Sequence, residues 1–542
     1  MPCPAPAHPA RCSRTGLLLL LIMAALIGAS YSVSPPPEGH EAYVLQTTRE
    51  MATRHDWIVP YFNGAPRLNK PPLNYWLTGA AVALGGAADV APIHGRVPSI
   101  LAGLGLCLVT FWLARVLFER RTALFALAIM GTSAGFYSYA HDARPDMLYA
   151  FLCALGYTSF LHALYTRSSQ ARWPWLMWLS YALATLSKGP HVPAMLLLAQ
   201  FLIARRHGLG WRQISSAIRP VAGLLLLLLL TVPWWWVLNH RLGGAGLRGT
   251  QLGGSLLVIH PLNVLGFYYF YRTWQLCLPW VALWPALLVL MVSYKNWTAP
   301  VRDLMTLILI PAVLLGFGTQ SRWFYMLPVF PAIITLMALA TQRSFTAGWL
   351  WSRHHWLVPV HAGFFLLALL ATWRHPPLIK ASDHPALLVN MGVILGLAGI
   401  WYWLRRRWRD PALDLLICAL IFASVYLNPG LQRVLWSQER YERAELARTA
   451  ATDAASHYIP LIFWGTNPDI YSYYSKNGPV KLVASVNEID AFLSQRKLRG
   501  AVLILLSGNV SQLPPQWHPQ TLGSIPGKPT YATSVVRLQP QS

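Results

Sequence analysis

The chain has 542 residues, 55% of them hydrophobic and 11% charged, with 43 Lys and Arg against 19 Asp and Glu for a formal charge of +24. Soluble domains carry roughly 25% charged residues, so this composition excludes an ordinary water-soluble enzyme and puts most of the chain in lipid. A nucleic-acid surface is excluded as well: it needs a contiguous basic patch on a soluble fold, and here the basic residues are scattered between apolar runs.

Residues 1–29 are laid out like a signal peptide, with basic residues, a leucine run and then Gly28-Ala29-Ser30. Because further helices follow, an uncleaved signal anchor is expected. Apolar runs matching a bilayer core recur, and about thirteen can be read. They lie near 16–33, 97–118, 122–140, 146–166, 173–187, 190–204, 220–238, 274–293, 303–318, 324–341, 356–372, 385–404 and 412–428. The segment 72–86 reads as an interfacial helix or a span. Arg120 and Arg121, Arg167 and Arg172, Arg205, Arg206 and Arg212, Lys295 and Arg302, Arg343 and Arg353, and Arg405 to Arg409 fall in alternate short loops. That is the positive-inside pattern. It predicts a multi-pass protein of the plasma (inner) membrane, with these loops and the Arg11/Arg14 tail in the cytoplasm. The charged loop 34–76, the loop "HDARPD" and the C-terminal tail then face outward.

After Pro429 the pattern changes to short apolar runs alternating with helical ones, such as "IPLIFWG", "NEIDAFLSQRKL" and "GAVLILL". This rhythm predicts a small extracytoplasmic α/β domain. The expected fold is therefore a polytopic α-helical membrane domain at 1–430, with 34–76 as its first outer loop, followed by the α/β domain at 431–542. The six cysteines, Cys3, Cys12, Cys107, Cys153, Cys277 and Cys418, contain no CxxC pair, so neither a disulfide framework nor a zinc site is suggested. The "KGP" of Lys188 to Pro190 lacks the glycine run of a nucleotide-binding loop. No metal ligand set is indicated, and no motif fixes whether a divalent metal takes part.

Three charged clusters fall on the predicted outer side: His40-Glu41 with Asp56 and Lys70; His141, Asp142, Arg144 and Asp146; and Arg322 beside Tyr325. Ionisable groups at helix ends facing a shared cavity are functional candidates. Carboxylates can take a proton from an attacking hydroxyl, and cations can neutralise charge on a departing phosphate. Nucleotide sugars stay in the cytoplasm, so an outward-facing transferase needs a lipid-borne donor. Its hydrocarbon would lie in a helix groove while its phosphate reaches the basic residues.

The first outer loop, "HEAYVLQTTREMATRHDWIVPYFNGAPRLNKPPLNYWLTG", resembles that of bacterial polyprenyl-phosphate-dependent glycosyltransferases of GT-C architecture. These include the lipid A aminoarabinose transferases and protein O-mannosyltransferase-like proteins. The residues carrying the likeness are Glu41, Arg49-Glu50-Met51, Asp56-Trp57-Ile58-Val59-Pro60, Asn63-Gly64, Lys70-Pro71-Pro72 and Tyr75-Trp76. "GRVPSILAG", "ARPDMLYAF", "LSKGP", "HPLNVLGFYYFYRTWQLCLPW" and "SRWFYMLPVFPAI" follow in the family's order. Two positions depart: His40 stands where the family has the Asp of an Asp-Glu pair, and Asn69 where a Glu often precedes Lys-Pro-Pro.

The resemblance implies an enzyme that transfers a sugar, with inversion, from a polyprenyl-phosphate donor to an extracytoplasmic glycan, lipid or protein hydroxyl. Glu41 is the expected base, with Asp146 orienting the acceptor or supporting the base and Asp142 as a further acid. Lys70, Arg322, Arg272 and Arg144 are the expected phosphate ligands. His40, Asp56, Tyr325 and His260 complete the loop candidates, Asp56 shaping the loop. Two alternatives stand beside this: a transporter or flippase of lipid-linked sugars, and a catalytically dead relative that only binds polyprenyl phosphate.

Overall fold

A computed structural model describes residues 35–37, 39–166, 170, 172–244, 267–293, 295, 297–317, 322–346, 356–373, 384–407, 411–426, 438–465, 468–476, 478–498, 500–525 and 533–539. The chain divides into two compact units, one holding 68–74 and 96–431 and the other 34–67, 75–95 and 432–542. The first loop, expected with the membrane domain, thus groups with the C-terminal segment.

The first unit is helical. Six helices among the described residues are long and apolar enough to cross a membrane: Pro92–Leu117, Pro145–Thr166, Trp211–Arg241, Ala299–Gly316, Trp323–Arg343 and Leu387–Arg405. Arg120–Gly131 and Ala134–Ala140, bent by 56°, make a seventh if they form one broken span. A helix satisfies its backbone hydrogen bonds internally, which lipid requires. Leu224, Leu225 and Leu229 of Trp211–Arg241 are exposed, as on a lipid-facing surface. Arg172–Ser187 and His191–Arg206 have 16 residues each, about 24 Å at about 1.5 Å per residue, short for a bilayer core. Leu357–Ala371 and Leu416–Val425 are also short. The run expected over 274–293 is largely broken into 3-10 turns at Thr273–Gln275 and Trp280–Leu283, with α-helix only over Trp284–Val292. The run 16–33 lies outside the described residues.

The bent pair brings the "HDARPD" loop into place. Ser133 caps Ala134–Ala140, its hydroxyl accepting from the Phe136 amide at 3.4 Å. The broken turn is also held from outside: Ala134 N–H donates to Leu278 C=O at 2.6 Å and Gly135 N–H to Leu276 C=O at 2.9 Å. Trp280 Nε1 donates to Thr132 Oγ1 at 2.9 Å.

The second unit contains a five-stranded sheet. Its strands are β3 (Leu461–Trp464), β4 (Lys481–Val483), β5 (Ala501–Leu506), β6 (Gln520–Ile525) and β7 (Thr533–Leu538), in the order β4-β3-β5-β7-β6. β3 pairs parallel with β4 and β5, and β7 antiparallel with β5 and β6. Ile462, Leu503, Leu505 and Val536 form its core.

The first-loop motifs serve this same unit. Asn63-Gly64, at φ 53° and 80°, turns the hairpin of β1 (Tyr61–Phe62) and β2 (Ala65–Pro66), a conformation Asn-Gly favours. The Glu50 carboxylate accepts from the Asn63 and Gly64 amides at 2.6 and 3.0 Å. The Asn63 side chain in turn brackets Val480, donating to its carbonyl at 2.9 Å and accepting from its amide at 2.7 Å. Arg49 bonds Asp89 at 2.7 Å and the Tyr473 carbonyl at 2.8 Å. Met51 is fully buried.

Asp89 supplies a pH signature. Burial works to raise its pKa, but bonds from Arg49 and Lys476 outweigh that and hold it at about 2 instead of 3.8. A depressed carboxylate stabilises above its unfolded value and loses that contribution as pH falls through the folded one. Thermal unfolding should therefore show this clamp intact at neutral pH and weakening as pH drops from about 4 toward about 2. Asp89→Asn should flatten that part of the pH profile.

Candidate active site

In the membrane unit, the "HDARPD" loop leads into helix Pro145–Thr166. Proline at its first position has no amide hydrogen to leave unpaired, and Asp146 lies in the first turn, where the helix dipole favours an acid. On another helix, Arg172–Ser187 ends just before Lys188. Gly189 takes φ 123° and Pro190 follows, so the backbone turns sharply and leaves Lys188 at the helix end.

These two ends meet. Lys188 Nζ donates to Asp146 Oδ1 at 2.6 Å, and Arg144 Nε stands 3.2 Å from Asp146 Oδ2. Arg144 Nη1 lies 3.5 Å from Asp142 Oδ2. All four side chains are largely shielded, from 5% exposed for Asp146 to 14% for Arg144. Phe324 and Tyr325 line the cations: Lys188 Nζ is 4.7 Å from the Tyr325 ring centre, and Arg144 lies 5.0 Å from that of Phe324. Ser99 Oγ donates to the Arg144 carbonyl at 3.2 Å, so the "GRVPSILAG" motif supports this loop. Lys70 acts electrostatically on both Asp146 and His191. Its segment is tied to the Lys188 turn, since Ser187 Oγ donates to Asn74 Oδ1 at 3.4 Å.

Asp142, Arg144, Asp146 and Lys70 therefore gather in one unit, with Tyr325 beside them. Arg322 is exposed just ahead of the 3-10 segment Trp323–Val329 and acts electrostatically on Tyr325. Arg272 ends the helix Phe267–Arg272, its Nη1 3.5 Å from Gln275 Oε1. It is flanked by Tyr269 and Thr273, which line an apolar cavity of about 300 Å³ with Trp284, Met305, Met326 and Ile333. His260 lies outside the described residues.

The second unit holds the remaining candidates, and it redirects one of them. Glu41 is fully buried and ion-paired with Arg440, whose Nε also donates to the Pro36 carbonyl at 2.6 Å. The Glu41–Arg440 pair ties the first loop to the helix Gln438–Ser456, an architectural contact within this unit. His40 is exposed, its ring 6.3 Å from that of Tyr43. Asp56 accepts from the Ile58 and Val59 amides at 3.0 and 3.3 Å, which fits the loop-shaping role. Arg144, expected as a phosphate ligand, bridges the Asp142 and Asp146 carboxylates.

Sequence reasoning gave Lys188 no role, although "LSKGP" was in view. The available signal was a lysine closing an apolar helix, which lipid tolerates only with a partner. Among the described residues, no group of three or more His, Cys, Asp or Glu is placed to hold a metal ion. Removing one partner of a buried ion pair typically costs about 3–5 kcal/mol. Glu41→Ala should accordingly lower the thermal stability of the purified protein, with Arg440→Ala doing the same.

A family described as dolichyl-phosphate-mannose-protein mannosyltransferase matches residues 69–236. An uncharacterised protein of Aquifex aeolicus is 28% identical over 28% of this chain and 30% of its own length. An undecaprenyl phosphate-alpha-4-amino-4-deoxy-L-arabinose arabinosyl transferase of Edwardsiella ictaluri is 24% identical over 91% of this chain and 94% of its own. The crystal structure of ArnT from Cupriavidus metallidurans bound to undecaprenyl phosphate superposes with a TM-score of 0.74. That match has 20% identity and covers 98% of this chain and 100% of the other. The chain therefore shares the fold of ArnT over nearly its whole length, and the mannosyltransferase family match falls mostly within its membrane unit.

Proposed function

We propose that the chain is an integral membrane glycosyltransferase that moves a sugar from a polyprenyl-phosphate carrier to an acceptor hydroxyl on the outer side of the membrane. The observation that carries this reading is the shielded network Asp142–Arg144–Asp146–Lys188, with Lys70 acting on it. Acids and cations from separate segments of the membrane unit converge there, as the transfer chemistry needs.

Asp146 is held by two cations, so its carboxylate serves to fix Lys188 and Arg144. Asp142, at the longer 3.5 Å contact with Arg144, is the carboxylate we assign to the acceptor proton. The hydroxyl then attacks the anomeric carbon opposite the phosphate, and the centre inverts. Lys70, with Arg322 at the surface, offsets charge on the departing phosphate, since charge-assisted hydrogen bonds to phosphate are strong. The apolar cavity near Arg272 takes part of the prenyl chain, as preformed apolar pockets suit such ligands. His40 at the family's Asp position does not abolish activity in this scheme, because the working acids lie on the "HDARPD" loop. The alternating basic loops support an outward-facing site. The arabinosyl transferase relatives make an undecaprenyl-phosphate-linked pentose the first donor to try, with lipid A, another envelope glycan or a protein hydroxyl as acceptor.

The test is transfer by the purified, reconstituted protein from undecaprenyl-phosphate-linked sugars. Asp142→Asn should lower kcat by about 10²–10⁴-fold, the usual scale of general-base catalysis, and Lys70→Ala should also lower transfer. Glu41→Gln should leave kcat of the folded fraction unchanged. Wild-type rates in both Asp142→Asn and Lys70→Ala would overturn the site assignment. Movement of the lipid-linked sugar across the membrane without a new glycosidic bond would favour the flippase reading.

A further inference from the structure

We propose that Tyr149 is a positioning residue, whose hydroxyl latches the Lys188–Gly189–Pro190 turn and so sets where the Lys188 ammonium stands. The inference deepens the reading above and rests on it, in that Lys188 belongs to the site.

Tyr149 lies three residues after Asp146 on helix Pro145–Thr166, so the two share a face. It is 1% exposed. Its hydroxyl donates to the Gly189 carbonyl at 3.0 Å and accepts from the Val192 amide at 3.2 Å. Both partners need it. The helix His191–Arg206 starts one residue before Val192, and amides in a first turn have no acceptor within their own helix. Gly189 carries its carbonyl in a turn at φ 123°, where an added Cβ would also meet His191 Nδ1 at 3.3 Å. A tyrosine hydroxyl can donate and accept at once, so one buried group closes both sides of the turn that follows Lys188. The Tyr149 ring stands 5.7 Å from Lys188 Nζ. The carboxylate at one end of the ion pair and the latch on the turn bearing its other end are therefore mounted on one helix. Tyr149→Phe would keep the ring and remove only the latch.

The experiment uses the full-length protein in lipid nanodiscs, with two readouts. The first is labelling of Lys188 by a small amine-acylating reagent, followed by peptide mass spectrometry. It does not depend on activity. Tyr149→Phe should raise the labelling rate about tenfold, the population change that two modest hydrogen bonds can sustain. Gly189→Ala, which strains the same turn, should raise it too and stands in if Tyr149→Phe fails to fold. The second readout is binding of undecaprenyl phosphate. It should weaken in Tyr149→Phe and in Lys188→Ala, and the double variant should bind no more weakly than Lys188→Ala alone, as expected of coupled groups.

Unchanged labelling of Lys188 in both turn variants would overturn the latch. Additive losses in the double variant would overturn its action through Lys188. Faster labelling with wild-type binding by Lys188→Ala would remove Lys188 from the site, and the positioning role with it, while leaving the turn contacts intact.

Discussion

A lysine ammonium at 8% side-chain exposure, within a helical membrane unit, cannot stand without a counter-charge. Lys188 finds one in Asp146 at 2.6 Å, and the rest of the site follows from that requirement. Asp146 faces Arg144 as well, and Arg144 reaches on to Asp142. Aromatic faces of Phe324 and Tyr325 then shield the cations where water would otherwise solvate them. Buried ion pairs are poor sources of stability, because desolvation consumes much of the Coulomb gain. A network of this kind is consistent with retention for what it does to a ligand, and the proposed transfer supplies such a use.

The same constraint organises the second unit with a different outcome. There the pairs join segments far apart in the chain: Glu41 with Arg440, Arg49 with Asp89 and Tyr473, Asn63 with Val480. Two charged residues of the first loop, Glu41 and Arg49, are thus stitched to the C-terminal segment. Arg49-Glu50-Met51 and Asn63-Gly64 carry the family likeness in sequence, and each of their hydrogen bonds described above satisfies backbone or side chains of this unit.

Much of the fold was legible. Apolar runs announced the helices, and the alternation after Pro429 announced the small α/β fold, because hydrophobic period reports burial directly. Chain breaks within a run were not legible. The 3-10 turns at Thr273–Gln275 and Trp280–Leu283 share the apolar composition of a helix. The Asp142–Arg144–Asp146 cluster could be read because its members are neighbours in sequence. The fate of Glu41 could not, since its partner is 399 residues away. Lys188 was visible as part of a turn, but its acid lies 42 residues back on another helix, and only packing shows the two together.

The most direct test is a structure of the protein in nanodiscs with undecaprenyl phosphate. A phosphate within about 3 Å of the Lys70 ammonium, as charge-assisted hydrogen bonds require, and beside the Asp146–Lys188 pair is the predicted result. A phosphate seated well away from Lys70, Asp146 and Lys188, with that pair undisturbed, would contradict the account.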